Sequence, residues 1–208
     1  MLVTLPRVNI TEDIYRFANL KKLPSFAEEK GLTMDEIAEV IAFDRDDVTK
    51  ELMEGPFKRK PFFGNKFGPV TRFSNGEWPV FYAAICRTTA GEEIAYHQGR
   101  EAAGDSAAPR AVHYSIVRCR FSGEIVDLRP KKDDWPNLVS DDYIICNGLG
   151  EEAHNGGLGG FFSPSARHAG GVTVPVFIAT TLSDPVIEAT ASLTFDTGNT
   201  VVEFEELL

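Results

Sequence analysis

The sequence predicts an α+β protein in which helices come first and strands dominate the rest of the chain. Residues 11–53 show helical spacing of apolar positions, whereas residues 172–181, 186–195 and 200–204 are β-branched and alternating. With 43% hydrophobic and 25% charged residues, the composition is that of an ordinary folded protein. We expect a helical N-terminal segment, residues 1–55, and a β-rich domain, residues 56–208, with an antiparallel core and flanking helices.

The N-terminal segment carries two helix-start signals. Thr11 followed by Asp13 can cap one helix, and Thr33 with Glu36 fits a capping box that opens a second. Residues 36–52 weakly resemble a helix-turn-helix, but the stretch from Thr33 to Leu52 holds seven carboxylates against one Arg and one Lys. Phosphate contacts need the opposite charge, so packing or protein contact is favoured over DNA binding.

The middle of the chain alternates between loops and regular elements. Residues 55–75 are rich in Pro, Gly, Phe and basic residues, which predicts an irregular loop. A strand at 78–85 and a helix from Thr88 follow, and Ser122-Gly123 predicts the turn of a hairpin within 112–128. The glycine-rich residues 147–160 predict a flexible loop, because they contain no ordered GxGxxG between a strand and a helix.

The closing region is predicted to be an antiparallel meander. Its three strands would be the alternating stretches named above, with a turn at Asp196-Thr197-Gly198-Asn199 between the last two.

Charge and cysteine usage exclude several function classes. The net charge of -10 repels nucleic acid, although a local cationic pocket can still bind a small anion. Cys86, Cys119 and Cys146 lie in apolar, strand-like runs without CxxC spacing, which indicates buried thiols in a reducing compartment. The four histidines lack ligand spacing, so no metal is expected. Without a secretory or membrane-spanning run, a cytoplasmic protein with no membrane partner is expected.

Four short motifs follow one another in a fixed order. They are Arg72-Phe73 before Gly76, Tyr82 ten residues after the Arg, Ala90 with Glu93 at a helix start, and Pro164-Ser165-Ala166-Arg167. This ordered set, together with residues 114–128 and 142–150, resembles the RES-domain family over roughly residues 56–182. The family is named for an Arg, a Glu and a Ser, and its members include toxins of bacterial toxin–antitoxin pairs.

The resemblance implies an NAD-consuming enzyme with an ADP-ribosyltransferase-like fold and an Xre-type antitoxin as partner. It implies catalytic roles for Arg72, Tyr82, Glu93 and Ser165, and NAD binding by Arg59, Arg72, Tyr82 and Ser165. Arg59 is the match to an upstream basic residue of the family, and Arg16 is a weaker rival. NAD would be a substrate, and no metal is implied.

Each of these side chains suits the chemistry that the resemblance implies. Arg72 can bind phosphate or ribose oxygens of dianionic NAD, and Tyr82 offers a flat face to nicotinamide and a hydroxyl for orientation. Glu93 can stabilise the oxocarbenium character that develops as the nicotinamide–ribose bond breaks. Ser165 would hold a ribose hydroxyl or Glu93 in place.

The same residues also have structural interpretations. A carboxylate near a helix start is favoured by the helix dipole, and a Tyr in an apolar strand is commonly part of the core. Three functions therefore remain open: NAD glycohydrolase or phosphorylase, mono-ADP-ribosyltransferase acting on a protein, and a non-enzymatic binding or regulatory module.

Overall fold

The structure, a computed structural model, describes residues 2–19, 45–58, 61, 64, 66–102, 110–195 and 201–207. The strands are β1 (Arg7–Asn19), β2 (Phe81–Ala84), β3 (Arg110–Asp127), β4 (Gly160–Pro164), β5 (Val172–Val176), β6 (Leu182–Phe195) and β7 (Val201–Leu207). The helices within the described residues are α1 (Arg45–Lys58), α2 (Arg87–Ala102) and α3 (Ile144–Asn155), with short 3-10 helices at Leu2–Thr4, Arg129–Lys131, Pro136–Leu138 and Ala179–Thr181. The predicted α+β class is consistent with these elements.

Five of the strands form a closed barrel. Their order is β1-β2-β5-β4-β3, and β1 also pairs with β3, which closes the ring. The pairs are antiparallel except β3 with β4, which run parallel. β6 and β7 extend the sheet outward from β3. β3 pairs with β1 on one side and with β4 and β6 on the other, whereas β1 meets β2 only at Tyr15 and Ala84.

The predicted helix at the start of the chain is wrong for residues 7–19, which form β1. Thr11 and Asp13 are not cap residues, because they pair with Ser122 and Arg120 of β3. Ile14 and Phe17 are both buried although they lie on opposite faces of the strand. Burial on both faces near one end of β1 removes the alternation by which a strand is usually predicted.

The predicted second helix and its capping box, Thr33 with Glu36, lie outside the described residues. α1 confirms helix at residues 45–53 and continues to Lys58 with Pro56 inside it, so the first part of the predicted loop 55–75 is wrong.

The predicted hairpin within 112–128 is also wrong, because β3 runs through it as one strand of 18 residues. Ser122 and Gly123 pair with Thr11 and Ile10 of β1 instead of turning. A Cβ on Gly123 would lie 2.9 Å from the Cγ2 methyl of Thr181, so glycine is needed here for close approach.

The flexible loop predicted for residues 147–160 is wrong for 147–155, which belong to the helix α3, whereas 156–159 lie between α3 and β4. The same helix includes residues 144–146, which were predicted as a strand around Cys146. Its small residues let it pack directly on backbone: a Cβ on Gly150 would lie 2.0 Å from the carbonyl oxygen of Phe73. Glycine content here reflects close packing between a helix and the segment that carries Arg72.

The predicted meander is only partly correct. β6 and β7 are antiparallel neighbours as expected, but β5 lies between β2 and β4. The predicted turn at 196–199 lies outside the described residues.

Three buried clusters form the core, and two of the predicted buried thiols belong to it. Cys119 and Cys146 are fully buried, whereas Cys86 is half-buried just after β2. Burial raises the pKa of the Cys119 thiol to about 12. No helix in the described part of the chain is long and apolar enough to cross a membrane.

Candidate functional site

The predicted site residues Glu93 and Ser165 are in direct contact. Glu93 lies on α2, which begins shortly after β2, and Ser165 follows the last residue of β4. The Ser165 Oγ donates a hydrogen bond of 2.6 Å to Oε1 of Glu93, and the backbone N of Ala166 donates to the same oxygen at 3.1 Å. Among the described residues, none binds the other carboxylate oxygen, Oε2. The carboxylate is therefore oriented through one oxygen, with the other left for a ligand.

The Ser165 hydroxyl is fully engaged by its surroundings. It donates to Glu93, and it accepts hydrogen bonds from the backbone N of Arg167 at 3.2 Å and of His168 at 2.9 Å. Ser165 is 7% exposed. The single proton of the hydroxyl is donated to Glu93, so its donor capacity is used in holding that carboxylate.

Arg167 lies beside the Glu93–Ser165 pair. It belongs to the fourth motif, but no role in the site was predicted for it from the sequence. Its guanidinium lies 3.3 Å from the ring centroid of Tyr96 and forms an ion pair with Asp141. Desolvation lowers the pKa of Arg167, but the hydrogen bond with Asp141 and the nearby charges of Asp141 and Glu93 outweigh it, so the pKa is raised. A stable positive charge thus lies near Glu93.

Arg72 holds the segment 137–140 through backbone carbonyls. Its Nη1 donates to the carbonyl oxygens of Leu138 at 3.2 Å and Ser140 at 2.6 Å, with a longer contact to Asn137 at 3.5 Å. The guanidinium also lies 4.9 Å from the ring centroid of Tyr143. A fixed guanidinium loses little side-chain entropy when it binds an anion, but Nη1 is already committed to the protein.

Tyr82 organises the turn that carries Arg72. Its hydroxyl accepts a hydrogen bond from the backbone N of Phe73 at 2.9 Å and shares one of 2.8 Å with the Thr71 hydroxyl. Burial of the phenol raises the pKa of Tyr82 to about 12, although these hydrogen bonds and Arg72 act in the opposite direction. Tyr82 therefore positions Arg72 by holding the residues on either side of it.

Replacement of Tyr82 by Phe is expected to lower the free energy of unfolding by about 1–3 kcal/mol at neutral pH. The reason is that the buried N–H of Phe73 loses its acceptor. Chemical denaturation of the wild type and Tyr82→Phe measures the difference. Equal free energies of unfolding would show that the Tyr82 hydroxyl makes no net contribution to stability.

Tyr82→Phe should also change how the free energy of unfolding depends on pH above pH 10. A phenol whose folded pKa lies above its unfolded value favours the folded state below pH 10 and loses that contribution as pH rises toward 12. The loss between pH 10 and 12 should be smaller in Tyr82→Phe. The Cys119 thiol, whose pKa is also raised to about 12, acts in the same direction from about pH 9, so Cys119→Ala serves as the comparison.

The structure joins the predicted residues in two pairs. Glu93 contacts Ser165, and Arg72 is supported by Tyr82; within the described residues no hydrogen bond or ion pair links the two pairs. They are connected indirectly, because Arg72 holds Ser140 while the adjacent Asp141 binds Arg167.

Two residues were predicted as the upstream basic group. Arg59, the first of them, lies outside the described residues. Arg16, on β1, donates from Nη1 to the carbonyl oxygen of Tyr82 at 3.0 Å, and its guanidinium lies 4.8 Å from the Phe81 ring centroid. β1 thus brings Arg16 to the strand that carries Tyr82.

A cationic cavity adjoins Ser165. It has a volume of about 170 Å³ and is lined by Arg129, Lys132, Pro164, Ser165, Gly170, Gly171 and Val172. Arg129 is held by Asp127, with bonds of 2.8 Å from Nε and 2.6 Å from Nη2, and lies 4.9 Å from the Phe162 ring centroid. Among the described residues the lining includes no carboxylate, but Asp127 pairs with Arg129, which leaves Lys132 as the lining cation for which no ion pair is seen in the described part of the chain. Neither cation lies in a motif, so sequence patterns gave no signal for them.

The fold and the site define an α+β barrel protein with a carboxylate–serine pair beside two basic groups. A family model, RES domain, matches residues 50–196. This chain belongs to the RES-domain family, and the resemblance predicted from its motifs is confirmed.

Other comparisons are more distant. Among solved structures the chain is similar to one described as the crystal structure of the M. tuberculosis MbcT–MbcA toxin–antitoxin complex. The identity is 14%, the TM-score is 0.48, and the alignment covers 90% of this chain and 86% of that chain. No curated protein matches the chain significantly.

Proposed function

We propose that this chain cleaves the nicotinamide–ribose bond of NAD, with Glu93 as the group that stabilises charge on the ribose. The observation that carries the proposal is the hydrogen bond of 2.6 Å from Ser165 to Glu93, in a chain of the RES-domain family. Bond cleavage leaves oxocarbenium character on the ribose, and a carboxylate fixed before the reaction stabilises it without reorganising in the transition state. The second oxygen, Oε2, then faces the ribose or its acceptor.

Arg72, Tyr82 and Arg16 would complete the substrate site. We propose that Arg72 interacts with phosphate or ribose oxygens from the position fixed by the segment 137–140, and that Tyr82 contacts nicotinamide through its ring. Arg16 replaces Arg59 as the proposed upstream basic residue, because it reaches the strand of Tyr82.

The cationic cavity gives a second reason to propose an anionic substrate. NAD carries two negative charges on its diphosphate, and the cavity beside Ser165 is lined by Lys132 and by Arg129, whose charge is paired with Asp127. Arg129 is held in place by Asp127 and Phe162, so little conformational entropy remains to be lost on binding. The proposed diphosphate position is therefore next to the proposed cleavage site.

The acceptor of the ADP-ribosyl group decides between the related reactions. Water gives a glycohydrolase, phosphate gives a phosphorylase, and a protein side chain gives mono-ADP-ribosylation. Purified protein should be incubated with NAD labelled in the adenylate part, with and without phosphate or cell extract. We expect the label to move from NAD to ADP-ribose, or to its phosphorylated form when phosphate is the acceptor. Label on protein would support the transferase, and unconsumed NAD would end the proposal.

We further propose a toxin-like role with an Xre-type antitoxin as partner, and an ADP-ribosyltransferase-like fold, as family membership suggests. Two exposed apolar residues, Val70 at 61% and Ile144 at 80% exposure, lie beside Arg72 and Tyr143 in the chain. A bound partner would cover such residues and restrict access to Arg72.

Induced expression should lower cellular NAD and halt growth, whereas an inactive Glu93 variant should do neither.

A further inference from the structure

The segment 165–171 is attached to helix α2 at three residues. Arg167 lies on the ring of Tyr96, Ser165 binds Glu93, and the Thr89 hydroxyl forms a bond of 2.8 Å with Nδ1 of His168. Thr89 and Glu93 are four residues apart, so these two attachments lie on one face of α2 about one helical turn apart. The two hydrogen-bonded attachments hold the segment on either side of Arg167.

The hydrogen bond between Thr89 and His168 lies in a closely packed, buried environment. Thr89 is fully buried, and its hydroxyl also contacts the Cys86 Sγ at 3.1 Å. The hydroxyl therefore lies between a thiol and the His168 ring nitrogen, and the nitrogen is the nearer and stronger of its two partners. The junction also excludes side chains, because a Cβ on Gly171 would lie 2.7 Å from both the Thr89 Oγ1 and the His168 Nδ1.

His168 is also connected directly to the Ser165 hydroxyl. Its backbone N donates to the Ser165 Oγ at 2.9 Å, and its carbonyl accepts from the N of Gly171 at 2.9 Å. The N of Ser165 in turn donates to the carbonyl of Gly171 at 2.8 Å. A displacement of the His168 backbone would therefore disturb the oxygen that orients Glu93.

We propose that the Thr89–His168 hydrogen bond is a positioning device that sets the geometry of the Ser165–Glu93 pair, with Thr89 and His168 as positioning residues. Neither residue needs to touch substrate for this role. The inference rests on the proposed function for its kinetic consequence, but the geometry it describes can be measured without substrate.

The test compares disruptive and conservative variants at both ends of the bond. His168→Ala and Thr89→Val remove it, whereas His168→Asn places an amide where Nδ1 lies and Thr89→Ser keeps the hydroxyl. For nicotinamide release we expect the disruptive variants to lower kcat by about 10-fold with KM within twofold, since a misplaced group slows the reaction more than it weakens binding. The conservative variants should recover most of kcat. The double variant, His168→Ala with Thr89→Val, should have a kcat no lower than that of either single variant.

A second measurement separates this inference from the proposed function. Amide hydrogen exchange of Ala166 and Arg167, whose N–H groups bind Glu93 and Ser165, should accelerate about 10-fold in the disruptive variants, while exchange in β3 stays unchanged. Unchanged exchange at both amides, or a kcat equal to that of the wild type, would overturn the proposal. Faster exchange in a chain whose wild type releases no nicotinamide would uphold the positioning device and contradict the proposed function.

Discussion

Glu93→Gln is expected to lower kcat for nicotinamide release by about 10²- to 10⁴-fold, with a small change in KM. The amide oxygen can still accept the hydrogen bonds from Ser165 and Ala166, so the geometry of the turn is preserved while the negative charge is removed. The effect falls on the transition state because the positive charge on the ribose develops only as the bond breaks. Steady-state kinetics with purified protein measures both constants.

The neighbouring carboxylate provides a matched control. Glu92 is exposed, and Glu92→Gln removes the same charge one residue earlier on α2. We expect its kcat to stay within about twofold of the wild type, because an exposed charge is screened by solvent and salt. Equal losses in both variants would mean that net charge, and not the position of Glu93, controls the rate.

Gly150→Ala is expected to destabilise the fold by about 2–4 kcal/mol. The added Cβ would lie 2.0 Å from the carbonyl oxygen and 2.8 Å from the carbonyl carbon of Phe73, so backbone must move. The displaced segment is also the one held by Asn147, whose Nδ2 donates to the carbonyls of Thr71 and Arg72 at 2.7 and 2.8 Å. Loss of stability should therefore be accompanied by displacement of Arg72.

Gly148→Ala is the control for that substitution. Gly148 is exposed on the same helix, and a Cβ there would meet nothing within 4 Å. Alanine in place of a helical glycine should stabilise the chain by about 0.5–1 kcal/mol. Thermal or denaturant unfolding of the two variants should shift in opposite directions; a Gly150→Ala protein as stable as the wild type would contradict the close packing of α3 on Phe73.

The α2 helix and the β6–β7 pair could be predicted from the sequence because their signals are local. A helix beginning near Thr88 and alternating β-branched residues after 186 depend on near neighbours in the chain. β1 could not be predicted in this way, since its partner β3 lies about a hundred residues later and residues on both of its faces are buried near one end. The Ser122-Gly123 pair is typical of a turn, but tertiary pairing overrides that local preference.

The candidate site shows the same division. The order of the motifs predicted Glu93 and Ser165 as members of one site, and the structure places them in contact. Pattern alone could not find Thr89, His168, Arg129 or Lys132, because each belongs to the site only through folding. It also could not show that the Nη1 group of Arg72 and the Tyr82 hydroxyl are already engaged by the protein.

The most direct test of the account is nicotinamide release from NAD by the purified wild-type chain, followed by chromatography with excess substrate. We predict many moles of nicotinamide per mole of protein, and a rate at least a hundredfold lower for Glu93→Gln at the same protein concentration. A folded wild-type protein that forms no nicotinamide, or two proteins with the same rate, would contradict the assignment of Glu93 as the group that acts on the ribose.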